Sequence, residues 1–189
     1  TTPDTYAEIS VLTNQVWMGK SFSIDDAGQL QKQANGLFTG GQVSVHDVQQ
    51  TNDLLRLTEA LKPEDALCLG VPSCGAREIA VTTRGHKSRV SDPSKICITR
   101  TKDDFDFPSG EGWLLLDHDT KDLPENVTSK LADLGGIFAA LTTIWPELAG
   151  ADFLVRPSSS AGVFIAGGTP TDATSFHMFV RLGSASDIP

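Results

Sequence analysis

Apolar residues in the first hundred positions recur at intervals that predict a mixture of strands and helices. Between Thr5 and Ser23, β-branched and aromatic residues surround Gly19 in a pattern typical of a hairpin with two short strands. From Val45 to Leu61 the apolar residues recur at helical spacing, and Pro63 ends this helix. Strands are also predicted at three segments separated by Pro and Gly, namely Ala66–Val71, Glu78–Thr83 and Ile96–Thr101.

The second half of the chain predicts a strand, a helix and several further strands. After the polar, turn-rich segment 103–112, residues 113–116 are apolar on both faces, which predicts a central strand covered on both sides. One helical face then carries Leu131, Leu134, Ile137, Phe138 and Leu141. These residues predict a single helix that ends near Trp145. The remaining predicted strands are Asp152–Arg156, Gly162–Ala166 and Ser175–Leu182.

The order of these elements predicts an α+β fold, in which helices pack on a mixed or antiparallel sheet. The change from a turn-rich segment to the apolar strand divides the chain into two parts, residues 1–102 and residues 103–189. Hydrophobic residues at 39% and charged residues at 21% are ordinary values for a folded globular domain, and argue against a disordered tail or a collagen-like scaffold.

Charge is unevenly distributed between these two parts. The net charge is −9, yet residues 1–102 contain 11 Lys and Arg against 11 Asp and Glu, so the acidic excess lies in residues 103–189. Overall acidity argues against a protein that coats nucleic acid through bulk charge. Just before the change, the stretch 84–102 gathers six basic residues, Arg84, Lys87, Arg89, Lys95, Arg100 and Lys102. This basic stretch is either a solvated loop or a contact for a polyanion.

Cysteine content and hydropathy indicate the compartment. Cys68, Cys74 and Cys97 form no Cys-x-x-Cys pair, so they suggest neither a zinc module nor a disulfide framework, and they favour a reducing cytosol. The sequence contains no apolar run long enough to span a bilayer, and we expect no signal peptide. We therefore expect a cytoplasmic domain without a membrane partner.

Two carboxylates follow the apolar strand directly. Asp117 and Asp119 are two positions apart, so the period of a strand sends both to the same face. Such a pair can hold hard cations that bridge to substrate phosphates, as in phosphoryl and nucleotidyl transfer. The alternative is a turn in which Asp119 caps the next segment. Placement directly after a buried strand favours the metal site.

A second polar set lies on the last predicted strand. One side of this strand would present Ser175, His177 and Arg181, with Phe179 between them, while the other side faces the core. A hydroxyl, an imidazole and a guanidinium are groups that contact anions. Before this strand, a serine-rich turn contains Ser158 and Ser160, and it either cradles phosphate or forms a hairpin tip.

In this order, the motifs resemble those of the archaeo-eukaryotic primase superfamily, and most of all the primase-polymerases of phages, plasmids and integrated elements. They are the hydrophobic-Asp-x-Asp of residues 113–119, the Arg-Pro-Ser-Ser-Ser-Ala-Gly of residues 156–162 and the Ser-x-His of residues 175–177. The resemblance covers residues 95–189 best. It implies a split RNA-recognition-motif-like catalytic core at 103–189 beside an N-terminal α/β layer at 1–102.

The resemblance implies a DNA primase-polymerase, a nucleotidyltransferase that adds nucleotides on a DNA template in the cytosol of a bacterium or a phage-infected host. Asp117 and Asp119 would hold two divalent metal ions, Mg²⁺ or Mn²⁺, and His177 would complete the catalytic set. Ser175 and His177 would contact the phosphates of a nucleoside triphosphate. The further candidates for contacts with the nucleotide or the template are Arg100, Lys102, Ser158, Ser160 and Arg181. A helicase domain or subunit is a further partner that the resemblance suggests.

Two other functions stay open. Family members carry a third acidic residue on a later strand, whereas Asp187 is the only acid after His177 and lies in a loop-like context. We expect the third carboxylate beyond this chain or a degenerate site, so a catalytically inert primase-like module that binds nucleotide or nucleic acid is one alternative. The other is a haloacid-dehalogenase-like phosphatase, because residues 117–120 fit its Asp-x-Asp-x-Thr signature, although no later acidic pair accompanies them.

Overall fold

The computed structural model describes residues 6–26, 30–87, 97–107, 110–120, 123–158 and 175–188. It is an α+β fold in which the described residues form more strands than helices. The chain divides into two compact units, one made of Thr1–Leu114 with Leu182–Pro189 and the other of Leu115–Arg181. The division thus falls after Leu114, whereas the sequence predicted it after residue 102. The predicted strand Gly162–Ala166 lies outside the described residues.

The first unit is built on a five-stranded sheet. The strands of the whole unit, numbered in chain order, are β1 (Glu8–Asn14), β2 (Lys20–Ile24), β3 (Leu30–Ala34), β4 (Gly40–Asp47), β5 (Asp65–Cys68), β6 (Val71–Pro72), β7 (Glu78–Thr82), β8 (Cys97–Thr99) and β9 (Phe105–Asp106). The large sheet has the order β5-β1-β4-β7-β8, in which only the β7–β8 pair is parallel. Two further antiparallel pairs join β2 to β3 and β6 to β9.

The strands predicted between Thr5 and Ser23 exist, but they do not form a hairpin with each other. β1 pairs with β4 and β5, whereas β2 pairs with β3. The reason is burial. Five of the seven residues of β1 are buried, as an interior strand requires, whereas four of the five residues of β2 are exposed.

The predicted helix from Val45 to Leu61 is correct only in its second part. Residues up to Asp47 complete β4, and helix α1 spans Thr51–Ala60. It begins there because Asp53 accepts a hydrogen bond from the Gln50 backbone N–H at 3.0 Å, which satisfies a donor at the helix start. Short helix α2 (Arg84–Lys87) follows β7.

In the described part of the first unit, one buried core hydroxyl has no hydrogen-bond partner. The core cluster is formed by Leu12, Phe38, Val43, Ile79, Val81 and Ile98. Ser10 lies on β1, fully buried, and its cross-strand neighbours are Val45 and Cys68. Burial raises the pKa of the Cys68 thiol, so this neighbour is uncharged at neutral pH. The Ser10 hydroxyl finds no hydrogen-bond partner among the described residues.

Ser10→Ala should raise the free energy of unfolding by about 1 kcal/mol, because it removes a desolvated hydroxyl that forms no hydrogen bond. Ser44→Ala is the matched control, since the Ser44 hydroxyl lies 2.9 Å from His46 Nε2 and its loss should lower stability. Urea unfolding followed by circular dichroism measures both. A Ser10→Ala protein that unfolds at lower urea than the native chain would contradict the assignment.

The second unit contains most of a three-stranded sheet. Its strands are β10 (Gly112–His118), β11 (Phe153–Pro157) and β12 (Phe176–Leu182), in the order β10-β12-β11. β11 and β12 are antiparallel. Side-chain contacts between β10 and β12 join Asp117 to His177, His118 to Phe176 and Asp119 to Ser175. The residue numbers rise along one strand as they fall along the other, so the two strands are antiparallel. β12 therefore lies between the other two strands.

The apolar segment 113–116 forms a strand, as predicted, but not a central one. In the described sheet β10 lies at an edge, and Leu115 is 39% exposed. Trp113 is the buried end of the strand, and its indole N–H points to the Val48 carbonyl at 3.4 Å.

The single helix predicted to end near Trp145 is two helices, α3 (Glu125–Asp133) and α4 (Ile137–Ile144). Gly135 and Gly136 break it, with φ angles of 85° and 101° that favour glycine. Their N–H groups donate to the carbonyls of Ala132 and Leu131, which closes the end of α3. Among the described residues no single helix is long and apolar enough to cross a membrane, and α3 with α4 reaches that length only across a 78° bend.

Candidate functional site

Both predicted carboxylates lie on one face of the three-stranded sheet. Asp117 is on β10 and Asp119 follows the last residue of that strand, and both are exposed. Asp117 Oδ1 is 3.4 Å from His177 Nε2, and the Ser175 hydroxyl donates to Asp119 Oδ1 at 3.2 Å. Ser175 and His177 are two positions apart at the start of β12, so their side chains lie on the same face of the sheet. The structure thus brings the two predicted motifs together.

Ser175 is the centre of a small hydrogen-bond network at the end of β10. Its hydroxyl oxygen accepts the Thr120 backbone N–H at 3.1 Å and lies 3.1 Å from the Thr120 hydroxyl. The same hydroxyl donates to Asp119. Ser175 therefore fixes the position of Asp119 and of the turn that follows it.

The third strand adds a guanidinium, Arg156, whose role the motif at residues 156–162 does not indicate. Arg156 on β11 lies directly opposite His177 in the strand register, so both side chains are on the same face. The Ser158 N–H donates to the Ser175 carbonyl at 3.0 Å, which continues the ladder and places Ser158 opposite Ser175. The alternation that put Ser158 on this face also puts Arg156 there, two positions earlier.

The site is an array of two rows across the three strands. The outer row contains Asp119, Ser175 and Ser158, and the inner row contains Asp117, His177 and Arg156. Neighbouring rows are about 7 Å apart, since each is two residues along the strands. The next row is apolar and consists of Leu115, Phe179 and Leu154. Arg181 is on the same face but beyond this apolar row.

Arg156 is the unusual member of the array. The residue is half-buried, and its Nη1 atom is buried without a hydrogen-bond partner in the part of the chain that the structure describes. A buried, unpaired donor on a charged group is costly, so such groups ordinarily have an acceptor. The inner row therefore retains the capacity to bind an anion at its β11 end.

The other predicted residues lie elsewhere or outside the described ranges. Arg100 and Lys102 follow β8 in the first unit, and the Arg100 guanidinium stacks 5.2 Å from the centre of the Phe38 ring. Asp187 ends a short 3₁₀ helix, also in the first unit. Within the basic stretch 84–102, Arg84 forms an ion pair with Asp103 at 2.6 Å. Ser160 lies outside the described residues.

The donor set suits a metal that is shared with a substrate. Over residues 6–26, 30–87, 97–107, 110–120, 123–158 and 175–188, no group of three or more His, Cys, Asp or Glu is arranged to hold a metal ion. Two carboxylates on one face are nevertheless the usual protein contribution to a Mg²⁺ site, in which substrate phosphates and water supply the remaining ligands. Asp117 and Asp119 fit Mg²⁺ or Mn²⁺ bound together with a phosphate-bearing ligand.

The two rows therefore offer hard oxygen ligands at the β10 edge and anion donors at the β12 and β11 positions. Carboxylate, hydroxyl, imidazole and guanidinium groups all lie within one strand spacing of their neighbours, about 4.8 Å. The array is open to solvent at the carboxylate end, where the Asp117 side chain is 66% exposed.

Comparison of the chain with protein-family models, with curated proteins and with solved structures gives no match.

Proposed function

We propose that this chain is a nucleotidyltransferase domain of the primase-polymerase type, which binds a nucleoside triphosphate with Mg²⁺ or Mn²⁺ and adds nucleotides on a DNA template. One observation supports the proposal most: Asp117 and Asp119 share a sheet face with His177 and Ser175, in contact with them. The motif resemblance assigns these same four residues to the metal and the triphosphate. We also propose that the unit containing β10, β11 and β12 is an RNA-recognition-motif-like catalytic core.

In this mechanism each side chain has a separate task. Asp117 and Asp119 would hold two divalent cations, which when bound would lower the pKa of the attacking 3′-hydroxyl and neutralise the charge of the departing pyrophosphate. Ser175 keeps Asp119 in position through the network that includes Thr120. His177 lies between Asp117 and Arg156, so it can exchange its carboxylate contact for a phosphate oxygen when a nucleotide occupies the site.

Calorimetric titration of a non-hydrolysable nucleoside triphosphate in the presence of Mn²⁺ tests the binding part of this proposal. Asp117→Asn and Asp119→Asn should each weaken metal-dependent binding about tenfold or more, because each removes a charged metal ligand. Asp133→Asn is the matched control, an exposed carboxylate on α3 that should leave the affinity unchanged. Equal binding by the native chain and both site variants would refute the assignment.

Primer extension on a DNA template separates the proposed enzyme from a binding module. A module without turnover is the second candidate, and it is favoured by the lack of a third carboxylate beside the Asp pair in the described ranges. Extension by the native chain that is lost in Asp117→Asn supports the enzyme. Metal-dependent nucleotide binding without extension supports the module, and it leaves the DNA template and the helicase partner without support.

A further inference from the structure

Charge changes sign along the inner row of the site. At the β10 edge the row begins with the carboxylate of Asp117, whose Oδ1 atom faces His177 Nε2 at 3.4 Å. At the β11 edge it ends with Arg156, whose buried Nη1 atom has no acceptor among the residues described. The Asp117 carboxylate thus contacts the imidazole, while Arg156 Nη1 has no acceptor in the described ranges.

We propose that Arg156 and His177 form a polyphosphate subsite, which binds the terminal phosphates of a nucleoside triphosphate and also free pyrophosphate or tripolyphosphate without a metal. The identification of the natural ligand as a nucleotide rests on the proposed function, whereas the anion subsite itself rests on the geometry of the inner row. The two residues lie on neighbouring strands about 4.8 Å apart, so linked phosphate groups can contact both.

The chemistry of the two side chains supports an anion of high charge. A guanidinium presents several N–H donors in a fixed fork, which matches the oxygens of a phosphate group. A donor that is already removed from water forms a stronger hydrogen bond than an exposed one, because less solvent must be displaced from it. β11 itself, Phe153–Pro157, carries no acidic residue that could compete for Arg156.

Asp117 should act in opposite directions on the two kinds of binding. It would hold the cation when metal is present, so its loss weakens metal-dependent nucleotide binding. Without metal, its negative charge repels a polyphosphate and its contact occupies His177. The same Asp117→Asn change should therefore strengthen metal-free polyphosphate binding, which a merely structural role for Arg156 and His177 would not produce.

The test is calorimetric titration of inorganic tripolyphosphate, and separately of pyrophosphate, into the full chain in buffer freed of divalent metals. Arg156→Gln should weaken binding about tenfold or more, and Arg156→Lys should weaken it less, because lysine keeps the charge but not the fork. Asp117→Asn should tighten binding about fivefold. Lys130→Gln, which removes an exposed cation on α3, is the matched control and should bind as the native chain does.

The outcomes distinguish this inference from the proposed function. Native affinity in Arg156→Gln, or no tightening in Asp117→Asn, overturns the subsite. A third outcome is that polyphosphate binds without metal and depends on Arg156, but nucleotide does not bind with Mn²⁺. This outcome supports the subsite and rejects the proposed function. Circular dichroism tests whether each variant is folded. If Arg156→Gln does not fold, the Arg156→Lys variant still tests the inference.

Discussion

Trp113→Ala is expected to lower the free energy of unfolding by about 3–5 kcal/mol, the range typical for removal of a buried aromatic side chain. Trp113 is 1% exposed and is the largest fully buried side chain of the described residues. Its removal leaves a cavity that the surrounding sheet can fill only in part. It also leaves the Val48 carbonyl without the indole N–H that lies 3.4 Å away.

Guanidinium unfolding, followed by circular dichroism, measures the effect. Trp113→Phe is the control, since phenylalanine keeps most of the apolar volume and loses the N–H donor, and its cost should be about 1–2 kcal/mol. The difference between the two variants then reports the cavity. A loss below about 1 kcal/mol for Trp113→Ala would mean that Trp113 is not packed as the structure describes.

Strand positions could be predicted from the sequence because burial imposes a period on each strand separately. Glu78–Thr83 and Ser175–Leu182 were predicted almost at their observed bounds, as β7 and β12. Pairing between strands could not be predicted in the same way. β1 and β2 are close in sequence, yet β1 joins β4 and β5 across long loops. That choice depends on which surfaces must be buried, and not on the residues between the strands.

The break between α3 and α4 shows a different limit. Apolar residues keep helical spacing on both sides of Gly135 and Gly136, so periodicity alone predicts one helix. The adjacent pair Gly135-Gly136 is itself a turn signal in the sequence, but the helical spacing of the apolar residues on both sides outweighed it in the prediction. With φ of 85° and 101°, these two cannot continue α3.

The same distinction explains what the sequence revealed of the site. Strand period alone predicted that Asp117 and Asp119 share a face and that Ser175 and His177 share a face. No sequence rule predicted that β12 lies between β10 and β11, and this order creates both rows. Arg156 begins the motif at residues 156–162, but only its register with His177 places its side chain in the inner row. The motifs supply the residues, whereas the sheet order decides which of them lie side by side.

Gly41→Ala should be the most damaging small substitution in the first unit, with a loss of about 3 kcal/mol or more in the free energy of unfolding. A Cβ atom at this position would lie 1.8 Å from the Thr13 carbonyl oxygen and 2.9 Å from its carbonyl carbon. Both atoms belong to the backbone of β1, which pairs with β4, so no side-chain rotation relieves the clash. Relief requires separation of two strands at the centre of the five-stranded sheet.

Two further glycines make this a graded test. Gly40→Ala would place its Cβ 3.3 Å from the Val81 carbonyl oxygen, so we expect a loss of about 1 kcal/mol. Gly183→Ala meets nothing within 4 Å and should change stability by less than about 0.5 kcal/mol. Thermal unfolding of the three variants should therefore rank them in this order. If Gly41→Ala unfolds at the same temperature as Gly183→Ala, β1 and β4 cannot have the close approach at Thr13 and Gly41 that the register of the central sheet requires.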